Sequence, residues 1–281
     1  MKWFKPVSIG AAAVAALALA APASGALASA KPVPHGIPIS LPVITVTMDG
    51  KSISVSGALE SGAVTVVSKV SNEPSGNPTF VRLDPGVTVS QVLQAAAGDP
   101  NNIALIASIV FSPQANKGTS KAQVNLKPGN YAAVDLANQG NNPPLTTFTI
   151  AQASSPASLP KPKATLSSIE FGFRGPGTLH NGQLVRFGNK GFLVHMMFGI
   201  RAASKAKARL LARYLKEGKD GRAMRLADAT YGFFGILTHG SSEQQVLHLR
   251  TGYWVIACFM DTQDGREHTR LGMERVIHIV R

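Results

Sequence analysis

Apolar and polar residues alternate in short runs along much of this chain. Ile44-Thr-Val-Thr-Met48 and Ala164-Thr-Leu-Ser-Ser-Ile169 have the pattern of half-buried strands, with neighbouring side chains on opposite faces. Gly62 to Val70, Gln183 to Phe187, Thr146 to Ile150 and Val276 to Val280 read as further strands. Helical periodicity interrupts twice, at Ser90 to Ala97 and from about Ser204 to Glu217. In the second patch Leu210, Leu211, Tyr214 and Leu215 recur on one face, Ser204 stands as an N-cap and Gly218 as a stop. The order of parts repeats: opening strand, further strands, helical patch, a corner, a final strand. The corners Leu126-Lys-Pro-Gly-Asn-Tyr131 and Leu249-Arg-Thr-Gly-Tyr253 lie about 120 residues apart. Between the halves, Ala153 to Lys163 (ASSPASLPKPK) suits neither a central strand nor a helix and reads as a semi-rigid linker. The expectation is an all-β chain of two β-sandwiches with short helical insertions, residues 31–152 and 164–281, joined by 153–163 and descended from one duplicated unit. Two unrelated β domains are the other arrangement this pattern allows.

The N-terminus changes the compartment. Lys2 and Lys5, an apolar run from Ile9 to Ala21 and the small residues Ala28-Ser29-Ala30 have the three parts of a secretory signal. Cleavage there leaves Lys31 first and predicts an exported protein, secreted or in the cell envelope or periplasm. No membrane span is expected in the mature chain. Cys258 is the single cysteine, so no internal disulfide forms. An unpaired thiol outside the cytoplasm is exposed to oxidation unless it is buried, ligated or reactive by design.

Charge separates the halves. Residues 31–159 hold seven Lys/Arg against six Asp/Glu, whereas 160–281 hold nineteen against nine. Lys205, Lys207, Arg209, Arg213 and Lys216 load the second helical patch. That face is either an ordinary solvated surface or a docking site, near residues 205–216, for an acidic redox partner or an anionic cell-envelope surface. Nucleic acid is not an expected partner for an exported chain with few aromatics beside its basic run.

The soft ligands also sit in the second half. Between Asp49 and Leu179 there is no His, Cys or Met. The closing segment runs Tyr253-Trp-Val-Ile-Ala-Cys258, then a Gly-containing loop to His268, then Met273; upstream, Phe187-Gly-Asn-Lys-Gly-Phe-Leu-Val-His195 places a histidine after a strand and turn. At these residues the chain resembles the cupredoxin family, the small blue-copper Greek-key sandwiches. The Leu-Arg-Thr-Gly-Tyr253 corner and the phrase Gly265-x-x-His268-x-x-x-Gly-Met273 belong to the same resemblance. It implies one copper ion in the second half, with His195, Cys258 and His268 as strong ligands and Met273 as a weak axial one. A thiolate and thioether favour Cu(I) and imidazoles suit Cu(II), so such a set accommodates both states with little rearrangement. Nine residues separate Cys258 from His268, a longer gap than the family's familiar loops.

Each of these residues has a plainer reading. Cys258 fits a buried core thiol, His195 a satisfied strand histidine, His268 a surface one, and Met273 a core plug. His239, His248 and His278 read as turn or strand residues and Met196-Met197 as core. No serine-nucleophile elbow, zinc-protease helix or phosphate-binding glycine loop is present, and the expectation is that the chain is not an enzyme. A Cys258–His268 nucleophile pair is the weaker enzymatic reading. The functional expectation is an exported copper-binding protein for electron transfer or copper handling, with a first half that serves as a metal-free structural or docking copy. The alternative is an exported β-sandwich binding or adhesion module without metal.

Overall fold

The computed structural model describes residues 40–137 and 143–281; the expected signal segment, 1–30, lies outside the described residues. In the first half the strands are β1 (Val43–Met48), β2 (Ile53–Gly57), β3 (Gly62–Gly76), β4 (Pro78–Leu83), β5 (Ala107–Phe111), β6 (Ala115–Leu126), β7 (Gly129–Asp135) and β8 (Leu145–Ile150). Helix α1 (Val89–Gly98) and a 3-10 turn (Pro100–Leu105) lie between β4 and β5. The second half has β9 (Ala164–Ile169), β10 (Gly172–Arg174), β11 (Thr178–His180), β12 (Leu184–Asn189), β13 (His195–Ala202), β14 (Ala227–Leu237), β15 (Ser242–Val246), β16 (Gly252–Ala257) and β17 (Glu274–Val280). Helices α2 (Lys205–Lys216) and α3 (Asp220–Met224) lie between β13 and β14, and a 3-10 turn (His268–Leu271) precedes β17.

Three sheets build an all-β architecture of packed sandwiches. One has the order β5-β4-β7-β8, a second β11-β17-β16-β13-β14, and a third runs β10-β9-β12-β15-β6-β3-β1-β2. The third is a mirror in sequence terms. From its middle outward, β6-β3-β1-β2 and β15-β12-β9-β10 have the same directions: β1 is parallel to β3 as β9 is to β12, and the outer pairs are antiparallel. The smaller sheets repeat the correspondence, β5-β4-β7-β8 matching β14-β13-β16-β17.

Local sequence accounts for these elements. Strand β1 alternates exposed and buried positions, with Ile44, Val46 and Met48 in the core. Helix α1 starts on a capping box in which Thr88 and Gln91 satisfy each other's backbone amides. Ser204 caps α2 by accepting from the Lys207 amide, and Ala208, Leu211 and Leu215 turn inward while the cations face out. Gly218, at φ +68°, ends that helix in the left-handed region. Both predicted corners close by one side-chain bond four residues back: Tyr131 Oη donates to Lys127 O at 2.7 Å, and Trp254 Nε1 donates to Arg250 O at 2.9 Å.

The halves join through β15 and β6, whose ladder is two residues long, Glu243 opposite Val124 and Gln244 opposite Gln123. Side chains extend the seam: Gln244 Nε2 donates to Gln123 Oε1, and the buried Glu243 accepts from the Ser112 amide at 2.7 Å. One apolar core runs across it, packing Val92, Ile103 and Ile109 of the first half in the same cluster as Met197, Phe234, Cys258 and Met273 of the second. The stretch from Ala153 is bound to this body as well, with Ala157 O accepting from Ala63 N and Pro160 O from Gln244.

Candidate metal centre

Strand β16 carries Val255, Ile256 and Ala257 into the core and delivers Cys258 just past its last pair, fully buried. The Cys258 amide donates to Met273 O at 3.2 Å, so the chain leaving β16 is bonded to the chain entering β17. Its sulfur accepts from the Met196 amide at 3.3 Å, and the Met260 amide also faces it.

The long gap before His268 is folded away. Asp261 and Glu267 form an antiparallel bridge, Thr262 N donates to Arg266 O, and Gly265 N closes a turn on Thr262 O. Residues 261–267 are thus an outward hairpin, and at its base His268 N donates to Met260 O at 2.8 Å. Spatially, His268 follows Met260 almost as if the intervening residues were missing. Met273 N then donates back to His268 O at 3.0 Å, with Gly272 in the left-handed region between them.

Three donor atoms meet inside this frame. His195 Nδ1 and His268 Nδ1 are 3.2 Å apart, and Cys258 Sγ lies 3.3 Å from the second and 3.7 Å from the first. The point equidistant from these three corners is about 2.0 Å from each, close to a metal–imidazole bond and a little under a metal–thiolate bond. All three residues are fully buried, and no other His/Cys/Asp/Glu group of this kind occurs among the described residues.

Neighbours fix the imidazoles. His195 opens β13, and its outer nitrogen Nε2 lies 3.3 Å from Glu170 Oε1, so an Nε2–H donates outward and the Nδ1 lone pair turns inward. Glu170 stands between β9 and β10 and also accepts from the Leu193 amide at 2.9 Å. Gly191 leaves room for this pair: a Cβ there would lie 2.5 Å from Glu170 Oε1 and 2.7 Å from His195 Nε2. His268 packs edge-on against Phe171, and its Nε2 is buried with no hydrogen-bond partner among the described residues.

Electrostatics keep the cluster uncharged. Burial pushes the Cys258 thiol up to about 12, against the pull of the Met196 and Met260 amides. Burial, then the nearby His195, pushes His268 down to about 4, and burial also lowers His195 against the opposing pull of Glu170. At neutral pH both imidazoles are therefore neutral, as a metal requires, and the thiol proton is the one a cation would displace. Two nitrogens and one sulfur, with two amides aimed at the sulfur, fit a soft or borderline ion such as copper and not magnesium or calcium.

The structure thus brings His195, Cys258 and His268 together. Met273 is fully buried in the same core and is tied by its backbone to both Cys258 and His268. His180, His239 and His278 lie apart: His180 Nδ1 bonds Arg281 O, His239 stacks on Phe192, and His278 stacks on Tyr253. Sequence reasoning alone missed Glu170 and Gly191, and it quoted Asn189 in the segment before His195 without giving it a role. The Asn189 carboxamide donates to Leu193 O and Leu237 O and accepts from Gly191 N, shaping the turn before His195. Glu170 had a weak signal, as the sole acid in a strand-to-strand turn; Gly191 had none.

The first half holds the matching place. Its Asp135 N donates to Pro144 O as Cys258 N does to Met273 O, and Asn77 N donates to Asp135 Oδ1 at 2.8 Å as Met196 N does to Cys258 Sγ. Ala137 N repeats the Met260 contact. Gly76, Asp135 and Pro144 therefore occupy the positions of His195, Cys258 and Met273.

Fold and site define a β-sandwich protein with a buried His–Cys–His donor cluster. No protein-family model and no curated protein matches the chain. Among solved structures it is similar to auracyanin B, at 13% identity over 44% of this chain and 93% of that one, with a TM-score of 0.28. It is similar to the auracyanin of Roseiflexus castenholzii at 16% identity, over 42% of this chain and 95% of that one, TM-score 0.26. A Cu-containing nitrite reductase from Thermus scotoductus SA-01 aligns over 85% of this chain and 67% of its own at 9% identity, TM-score 0.25. One expectation is corrected here. The missing motifs led to the expectation that the chain is not an enzyme; the solved structures it is similar to include that nitrite reductase and a metallo-oxidase from Campylobacter jejuni, and the expectation is withdrawn. No helix among the described residues is long and apolar enough to cross a membrane.

Proposed function

We propose that this is an exported copper-binding protein that transfers electrons or handles copper. The observation that carries the reading is the triangle of His195 Nδ1, His268 Nδ1 and Cys258 Sγ, with a point about 2.0 Å from all three. Those residues would hold the ion, and Met273, beside them in the core, is proposed as the weak axial ligand. Held there, copper would change between Cu(I) and Cu(II) by taking one electron from a partner and passing it on.

The protein groups have definite roles around that ion. The Met196 and Met260 amides stabilise negative charge on the Cys258 sulfur. Glu170 holds the tautomer and orientation of His195. Phe171 and the surrounding core keep water from the donors. The first half, residues 31–152, is proposed as a metal-free copy produced by duplication, on the strength of the matching strand orders. The signal segment in 1–30 supports export.

The exposed cations Lys205, Lys207, Arg209, Arg213 and Lys216 of α2, with Arg270 beyond its end, are proposed as a docking surface for an acidic redox protein. Helix α2 packs on the turn that bears His268, which would bring such a partner near the site. Charge reversal at Arg209 and Arg213 should weaken retention on an acidic protein at low salt; unchanged retention would leave only a solvated face.

The deciding experiment for the metal uses residues 31–281 mixed with Cu(II). An intense thiolate-to-copper band that disappears in Cys258→Ser is the expected result. A colourless protein that loses all copper on dialysis would overturn the reading and favour the metal-free binding module.

A further inference from the structure

The three donors come from two chain segments, and the ladder that joins these segments stops short of the donors. The β13–β16 ladder ends at Phe198 opposite Ala257. Beyond it, β13 is irregular against β14, with register shifts between His195 and Met197 and again before Phe198. The segment ahead of His195 and the hairpin after Met260 therefore lie outside the sheet's own restraint.

One side chain of the first half spans them. Asn101 Oδ1 accepts from the Val194 amide, next to His195, at 2.9 Å. Asn101 Nδ2 donates to Asp261 O, at the base of the hairpin between Cys258 and His268, at 3.1 Å. The same Nδ2 donates to Asp99 Oδ1, which also accepts from the Asn101 backbone amide. Partner chemistry fixes the carboxamide's orientation: an amide N–H faces Oδ1 and two acceptors face Nδ2. Asn101 is almost fully buried, in the 3-10 turn that Asp99 caps.

We infer that Asn101 is a positioning residue for the metal centre, a clamp by which the first half holds the His195 segment and the Cys258–His268 hairpin in fixed relation. This inference rests on the metal reading above. The ligand-poor half thereby contributes to the site. A rigid donor set needs support behind its ligands, and here that support comes from 93 and 160 residues away in sequence. Asparagine suits the position because the side chain must accept on one side and donate on the other. An aspartate would keep the Val194 bond but lose the donor to Asp261 O and face the Asp99 carboxylate.

The test compares Asn101→Ala, Asn101→Asp and a control, Val66→Ala, which opens a first-half core cluster separate from the one that holds Cys258. Denaturant midpoints identify conditions of matched global stability. In the metal-free full chain, Cys258 should react with a small thiol reagent at least tenfold faster in both Asn101 variants than in the control. In the copper-loaded chain, the thiolate-to-copper band should shift or broaden in the Asn101 variants and stay unchanged in Val66→Ala. Equal labelling rates in Asn101→Ala and the stability-matched control would overturn the clamp. If Asn101→Ala does not fold, Asn101→Ser, which retains a small polar group, decides the same comparison. Absence of a copper band in the unaltered protein would refute the metal reading alone, because the labelling comparison needs no metal.

Discussion

His268 N donates to Met260 O at 2.8 Å, and this bond removes a nine-residue separation from the geometry of the site. Its consequence is direct. The residues beyond the Asp261–Glu267 bridge form a hairpin tip that the donors do not use. Replacing Thr262 through Arg266 by Asn-Gly, a two-residue hairpin turn, should preserve the copper absorption spectrum. Loss of the band in a folded variant would show that the tip itself shapes the site.

Glu170 reaches the outer nitrogen of His195. Glu170→Gln weakens that charge-assisted bond while keeping a side chain of the same shape. Carboxylate partners of metal-bound histidines typically change affinity about 10–100-fold. Copper affinity should fall within that range, measured by competition with a chelator, with little change in the denaturation midpoint. Affinity within twofold of the unaltered protein would remove Glu170 from the site.

Glu243 makes stability depend on pH. Burial holds its carboxyl up to about 8, against the pull of the Ser112 amide. A raised folded-state value means that the unfolded chain releases the proton first. The stabilisation is therefore full below the ordinary carboxylate range and is lost as pH rises through about 8. Glu243→Gln keeps an acceptor for Ser112 and cannot ionise. Between pH 5 and 9 the unaltered chain should lose on the order of a few kcal/mol relative to this variant in chemical denaturation. Parallel pH profiles would contradict the buried carboxyl's role at the seam.

Tyr131 and Trp254 occupy matching corners and make the same four-residue return bond. Tyr131→Phe and Trp254→Phe each leave a backbone carbonyl without its side-chain donor. The tyrosine change removes only the hydroxyl and should cost about 1 kcal/mol. The tryptophan change also empties core volume and should cost about 2–3 kcal/mol in the same urea titration. A tyrosine change without effect would show that water replaces the lost donor.

Legibility in the sequence differs by element. The alternation of Ile44, Val46 and Met48, the Ser204 cap, the Gly218 stop and the two corners were all legible, because strand faces, caps and turns follow from residues a few positions apart. The order of Cys258, His268 and Met273 was legible too, since one closing segment carries them all. The sequence by itself thus determined a β-rich chain with repeated parts and soft ligands confined to its second half. Only the tertiary structure decided that the 261–267 hairpin folds outward, that Glu170 meets His195 and that Asn101 reaches across from the other half. The same holds for the joining of the two halves through Glu243 and Gln244. These contacts link residues up to 160 positions apart, and no local periodicity encodes them. They form because a buried amide or carboxylate must find a partner, and which partner it finds depends on how the sheets pack.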